Sequence, residues 1–328
     1  MRALVTGAAG FIGRHVVSAL VAGGADVVAF DRRFPADPAA TELGGVAELV
    51  RGDVLDVDAL RRAVGGCDAV FHLAAVYSYA RGDAALMQAV NVAGTRAVLT
   101  AVADGRPRRI VHTSSCATCG PVAGRAADER DLPPAADLSI PYKRTKLHGE
   151  RLALAAARAG ADVVVVNPTV PVGPGDRRPT PTGKMVADVA RGRVRAYLAG
   201  SALNVVAVQD VAAGHVRAFE RGRRGERYLL GGENLTIRQV FAEIAGAAGR
   251  PVPWLGVPWA AAHLAARVAD ATLRPLGREP RLLVLDEVRA GRLPHLFDDA
   301  KARSELGHVS RPVVQALVEA AASALAAG

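Results

Sequence analysis

Residues 3–13 read ALVTGAAGFIG, an apolar run followed by glycines at positions 7, 10 and 13 and then by an amphipathic stretch. A strand that turns at once into a helix needs a residue tolerant of unusual backbone angles at the turn, which Gly7 supplies. Gly10 removes the side chain that would keep a pyrophosphate off the backbone, and Gly13 lets helix and strand pack closely. The helix then offers free N–H groups and the positive end of its dipole to an anion. The spacing is GxxGxxG rather than GxGxxG, and a glycine triplet alone is a weak signal, because an ordinary turn uses the same residues. Context strengthens it. The triplet opens the first strand–turn–helix unit, and Asp31 closes the next apolar run 18 residues after Gly13. A carboxylate there accepts hydrogen bonds from an adenosine ribose 2′-hydroxyl, which favours NAD. Arg32 and Arg33 follow directly and are able to pair with a 2′-phosphate, so NADP stays open. Asp53, after the third apolar run, is placed to meet the adenine.

The alternation continues. Ala3–Thr6, Asp26–Phe30, Ala47–Val50, Ala69–Leu73, Arg109–His112 and Ala161–Val166 read as strands, and Phe11–Ala22, Val57–Val64, Ala84–Val102 and Pro141–Ala159 as helices. This order predicts an α/β fold, a Rossmann-type doubly wound parallel sheet with helices on both faces. Val163–Val166 is continuously apolar, as expected of a strand covered on both sides. After Asn167 the texture changes, with prolines at 168, 171, 174, 179 and 181. The remainder is mainly helical, with strands expected near Asn204–Val208 and Arg227–Leu230. We expect a dinucleotide-binding domain over residues 1–168, to which a later strand near 204–228 returns. A smaller, mainly helical substrate-binding domain is then built from 169–203 and 229–328.

The net charge of +9 raises the question of a nucleic-acid partner, but only four of the 41 basic residues are lysines. The arginines are scattered among Ala, Gly and Val without aromatic interleaving, so no nucleic-acid binding is expected. No run of about 18 consecutive apolar residues occurs, which removes an obvious membrane span. Met1 leads straight into a strand pattern, and three cysteines (67, 116, 119) are too few for a disulfide scaffold. A cytoplasmic enzyme is the expectation.

Tyr142 and Lys146 stand four apart on one predicted helix, hence on one face. A phenol is a poor base at neutral pH, but a neighbouring ammonium favours its phenolate, so the pair can exchange a proton with a substrate hydroxyl. Such pairs also arise by chance. Here the preceding strand runs into Thr113-Ser114-Ser115 at its carboxyl end, where ligands bind in parallel sheets.

TGAAGFIG, Asp53-Val54, His72-Leu73-Ala74-Ala75, Asn91-Val92-Ala93-Gly94-Thr95, the TSS segment and YKRTK occur in the order of the extended short-chain dehydrogenase/reductases, which the chain resembles over essentially its whole length. Within them it looks most like the branch holding dihydroflavonol 4-reductases and hopanoid-associated sugar epimerases, through Asn167-Pro168-Thr169, PTPTG from Pro179 and RYLLGGEN from Arg227. The resemblance implies a catalytic triad of Ser115, Tyr142 and Lys146, with Ser114 as runner-up for the serine. It implies dinucleotide contacts at Phe11, Ile12, Val54, Leu73, Ala74, Ala75, Thr113, Pro168 and Val170. Asn91 either supports the nicotinamide end or is a polar group packed between helices. Substrate contacts are expected at Tyr77, Cys119, Asn167, Lys184 and Asn204. Relatives pair as dimers through helices equivalent to 84–102 and 141–159, so a homodimer is expected.

Departures narrow the chemistry. Dehydratases of this group carry an Asp-Glu pair after the catalytic hydroxyl residue, whereas Cys116 and Ala117 follow Ser115. Nucleotide-sugar epimerases carry an arginine that grips the diphosphate. Leu203 and Asn204 stand there, with Arg177, Arg178 and Lys184 as substitutes, and Ala207 replaces a histidine. Cys116 and Cys119 have no second pair with which to hold zinc. Trp254 and Trp259 are expected to pack the smaller domain, and no histidines show metal-ligand spacing. The expectation is an NAD(P)-dependent oxidoreductase acting on a secondary alcohol or ketone of a small or medium, non-nucleotide substrate. An epimerase with transient oxidation is the related alternative. A non-catalytic dinucleotide-binding protein is the competing class, which typically loses the tyrosine or lysine retained here.

Overall fold

The computed structural model describes residues 1–34, 43, 47–103, 107, 109–177, 179–273, 275 and 284–327. Seven parallel strands form its main sheet: β1 (Arg2–Thr6), β2 (Asp26–Phe30), β3 (Glu48–Val50), β4 (Ala69–His72), β5 (Arg109–Thr113), β6 (Val163–Pro168) and β10 (Arg227–Leu230). Their order is β10-β6-β5-β4-β1-β2-β3. The order reverses between β1 and β4, and the crevice beyond their carboxyl ends is where such sheets bind ligands. The glycine loop leaves β1 at this point.

Helices cover both faces, which is why the strands are apolar on both sides. On one face α1 (Phe11–Ala22) and α7 (Val208–Arg221) bury Val16, Leu20 and Val211 against Val5, Phe71 and Val164. On the other, α2 (Val57–Val64), α4 (Thr95–Ala103) and α5 (Pro141–Arg158) bury Leu60, Val98 and Ala153 against Leu4, Val70 and Val165. A short α3 (Ala84–Met87) joins α4 through a π-helical segment, Gln88–Gly94, where one helix was expected. The whole stretch Arg81–Ala103 is long and apolar enough to cross a membrane, but half of it is buried inside the fold, packed on α2 and α5.

The smaller part adds a three-stranded sheet, β11-β9-β7, from Glu233–Thr236, Ala202–Ala207 and Val170–Val172. A two-stranded pair, β12-β8, comes from Leu255–Val257 and Ala196–Leu198. Around them stand α6 (Pro181–Ala190), α8 (Ile237–Ala247), α9 (Trp259–Leu273), α10 (Leu285–Ala290) and α11 (Val313–Ala326). Both strands expected after Asn204 are present. β10 does join the main sheet beside β6, but β9 pairs with β7 and β11 instead. The reason lies in its alternation. Val205 and Ala207 face the core under α6, α8 and α11, while Val206 faces the main-sheet core, so β9 seams the two cores. Trp259 packs as expected, stacking on His263 and donating its indole N–H to the Val288 carbonyl at 2.8 Å. Trp254 does not pack: it is 75% exposed.

Candidate active site

At the switch point lies a cavity of about 1190 Å³ that runs from the glycine loop to the helices of the smaller part. Gly7 adopts φ +72°, donates its N–H to the Phe30 carbonyl at 2.9 Å, and leaves no room for a side chain, since a Cβ would sit 2.7 Å from Ala74 N. A Cβ on Gly13 would run into the Gly7 carbonyl. The loop is therefore a bare backbone cradle at the start of α1. Every residue expected at the dinucleotide lines this cavity except Asn91. Asn91 is 3% exposed and its amide is spent inside: Oδ1 accepts from Val76 N at 2.7 Å, and Nδ2 donates to Val76 O and Thr145 Oγ1. It ties the segment after β4 to α5. Asp53 lines the cavity, with Oδ1 accepting from Leu55 N and Oδ2 3.8 Å from Arg32.

The turn after β5 and the first turns of α5 bring Ser115, Tyr142 and Lys146 to the cavity. β5 ends at Thr113, and Ser115 caps the turn Cys116–Thr118 by accepting from Ala117 N at 3.2 Å. Ser115 and Tyr142 both line the cavity, where the serine hydroxyl favours the Tyr142 phenolate. One turn further along α5, Lys146 is 6% exposed and donates to the Thr113 carbonyl at 2.8 Å, so β5 and α5 are clamped at the site. Burial pushes the Tyr142 phenol well above its ordinary range, with Tyr77 adding to the shift and the Ser115 hydroxyl opposing it. Burial lowers the Lys146 ammonium to about 8, opposed by Glu150. The His72 and His112 rings lie 5.4 Å apart, tilted by 38°, and burial, with Lys146 adding to it, lowers the pKa of both.

Ser114 also lines the cavity, 5% exposed, and its hydroxyl has no hydrogen-bond partner among the described residues. A buried donor left open at the wall of a cavity, beside a cradle without side chains, fits a nicotinamide dinucleotide laid from the glycine loop to Tyr142.

Of the five residues expected at the substrate, Tyr77 lines the cavity, its ring 4.4 Å from that of Tyr142. The other four expected substrate contacts are elsewhere. Cys119 is fully buried behind the wall with Leu229 and Phe297, while Cys116 lines the cavity. Asn167 is fully buried, donating to Ser115 O, Thr118 Oγ1 and Glu150 Oε2. Asn204 is 1% exposed and donates to Asn234 Oδ1 at 2.8 Å. Lys184 points away and pairs with Asp188, one turn on, at 2.7 Å. Arg177 lines the cavity; Arg178 lies outside the described residues.

Sequence reasoning missed Tyr79, which packs edge-on against Tyr77 and Tyr142, and Glu287 and His295, which line the same wall. It also missed Lys143, buried beside Tyr142 with Nζ 2.6 Å from Asp137 and 3.4 Å from His295. The signal for Tyr79 was its i+2 spacing from Tyr77 in an extended segment.

A dinucleotide cradle at the switch point of a parallel sheet, with a serine, a tyrosine and a lysine converging at its far end, defines an NAD-dependent oxidoreductase of the short-chain dehydrogenase/reductase type. The model of the NAD dependent epimerase/dehydratase family matches residues 3–231, and the chain belongs to that family. It is 37% identical to a putative dihydroflavonol 4-reductase of Synechocystis sp., over 96% of this chain and 92% of that one. It is 36% identical to sterol demethylase protein B of Methylococcus capsulatus, over 98% of each. Among solved structures, that of gox2253 superposes with a TM-score of 0.85 at 35% identity, covering 99% of this chain and 98% of that one.

Proposed function

We propose that the chain is a reductase or dehydrogenase that interconverts a ketone and a secondary alcohol on an apolar, non-nucleotide substrate. The observation that carries this is the cavity wall beyond Tyr142, built largely from Met185, Leu198, Leu203, Phe241, Val257 and Val288. Leu203 faces the cavity at the position expected of a diphosphate-gripping arginine, and Asn204 is turned into the protein. A diphosphate finds little there to replace its hydration. The name of the Synechocystis relative, a reductase, supports the reading.

Ser115 holds the substrate oxygen, and Tyr142 gives that oxygen its proton on reduction or removes it on oxidation. When bound, the nicotinamide supplies the carbon that gives up or accepts hydride. Lys146, buried one turn away, stabilises the phenolate that reduction leaves on Tyr142. The tyrosine cluster Tyr77–Tyr79 walls the reacting centre from bulk water.

The Lys146 ammonium is present below its value of about 8 and lost above it. The rate of ketone reduction at saturation is therefore expected to be flat through neutral pH and to fall above about 8. A pH profile of kcat checks this, and a profile flat well beyond that point removes Lys146 from the step. The substrate class is tested by comparing apolar cyclic and aryl ketones with nucleotide sugars. Turnover confined to nucleotide sugars overturns it.

We assign residues 1–168 with β10 to the dinucleotide-binding domain, and 169–203 with most of 231–328 to substrate binding. A homodimer through residues 84–103 and α5 is supported by exposed small residues on α3, the π-helical segment and α5, Ala85, Ala93 and Ala155. A monomer mass by light scattering counts against it. Three free cysteines suit a reducing, cytoplasmic setting.

A further inference from the structure

Lys143 follows Tyr142 in the first turn of α5 and is 1% exposed. A lysine is almost never buried so deeply unless its charge is paired. Its Nζ donates to Asp137 Oδ2 at 2.6 Å and stands 3.4 Å from His295 Nε2. An ammonium has no lone pair, so the imidazole nitrogen is the acceptor, and of the three N–H donors one is left unspent among the described residues. Burial lowers the His295 imidazole to about 3, with the Lys143 charge adding to the shift, which suits an accepting ring. The backbone holds His295 in place: its N–H donates to the Ala202 carbonyl at 2.8 Å, and it forms a bridge with Leu203. Lys143, His295, Leu203 and Cys116 all line the cavity. The Lys143 charge also reaches the Cys116 thiol, where it opposes the burial that pushes the thiol up to about 12. Cys116 and Lys143, the residues that follow Ser115 and Tyr142, thus come together as the catalytic pair does, with His295 beside them.

We propose that Lys143, set in place by Asp137 and His295, binds a second oxygen of the substrate, so that the preferred ketone carries a neutral carbonyl or hydroxyl oxygen a few bonds from the reacting carbon. The inference rests on the ketone–alcohol reading of the site and narrows it. Ser115 and Tyr142 take the reacting oxygen, and the next residue on each segment lies beside the adjoining part of the same molecule. Of the side chains gathered there, Lys143 is the strong donor. A thiol is a weak one, the His295 Nε2 accepts, and Leu203 offers nothing polar. The charge of Lys143 is already balanced by Asp137, so an anionic group would meet that carboxylate as well as the ammonium. A neutral oxygen escapes this repulsion and still gains a charge-assisted hydrogen bond beside an apolar wall.

Steady-state kinetics with a matched pair of aryl ketones tests this: acetophenone, and ethyl benzoylacetate, which adds an ester carbonyl one methylene beyond the ketone. The wild type is expected to reduce the keto ester with a kcat/KM about tenfold or more above that for acetophenone, the worth of one hydrogen bond to a charged group. Lys143→Met, which keeps the length and removes the charge, is expected to lower that ratio about tenfold, chiefly through the KM of the keto ester. Should the loss of Asp137's partner unfold that variant, Lys143→Met with Asp137→Asn removes both charges and is expected to lower the ratio in the same way. A ratio unchanged in the variant, an equal loss on both ketones, or a wild type with no preference for the keto ester overturns the role of Lys143 and leaves the ketone reading standing. Free benzoylacetate preferred over its ester overturns the neutral oxygen. Turnover of nucleotide sugars with neither ketone reduced overturns the ketone reading and the inference together.

Discussion

Replacing Tyr142 by phenylalanine lowers turnover by about 10²–10⁴-fold, the range of a positioned general acid–base group, while dinucleotide affinity stays within a few-fold of wild type. The change removes one oxygen. The ring contacts with Tyr77 and Tyr79 survive, and Lys146 keeps its bond to the Thr113 carbonyl. What is lost is the phenol oxygen that carries the proton to the substrate. Ser115→Ala is expected to cost less, about 10²-fold, because it removes a donor to the reacting oxygen and leaves the proton in place. Steady-state kinetics with separate titration of the dinucleotide checks both. A Tyr142→Phe variant with wild-type turnover would mean that a different group carries the proton.

Removing the Glu150 carboxylate destabilises the fold by about 3–5 kcal/mol, the cost of leaving a largely buried cation without its partner. Glu150 is 1% exposed. It accepts from Arg227 Nη1 at 2.8 Å, Thr118 Oγ1 at 2.6 Å and Asn167 Nδ2 at 2.7 Å. Arg227 also donates to the Glu129 carbonyl, so one network joins α5, β6, β10 and the turn after Ser115. Glu150→Ala takes from Arg227 its carboxylate partner and from Thr118 Oγ1 and Asn167 Nδ2 a shared acceptor. Against a typical net stability of about 5–15 kcal/mol, that is a large share. The double change Glu150→Leu with Arg227→Met recovers most of the loss, because an apolar pair of similar volume needs no partner. Urea denaturation of the single and double variants decides it. A Glu150→Ala loss below about 1 kcal/mol would show that the network is solvated.

Legibility in the sequence tracked locality. The glycine loop and the Tyr142–Lys146 pair are spelled out within a dozen residues or fewer, and the parallel sheet follows from alternating periods, so all three could be read directly. Lys184 was legible too, in the other direction. Asp188 stands four residues on, the spacing of a surface ion pair, and it claims the ammonium. Asn167, Asn204 and Cys119 were not. A polar residue near a pocket and one that satisfies buried backbone look alike in sequence, and only the fold shows Asn167 meeting Glu150 and Asn204 meeting Asn234 across 17 and 30 residues of chain. The sheet to which β9 belongs was not legible for a similar reason. Its alternation tells that both faces are covered, but not that two different cores cover them.

The measurement that tests the central claim most directly is the stoichiometry of a single reaction mixture: purified protein, an apolar ketone and reduced dinucleotide, with loss of reduced-nicotinamide absorbance followed beside formation of product. The account predicts one secondary alcohol formed for each reduced dinucleotide consumed, in the wild type and not in Tyr142→Phe. Product that is a stereoisomer of the substrate, formed with no net change in dinucleotide, would contradict it and identify the cycle as an epimerisation.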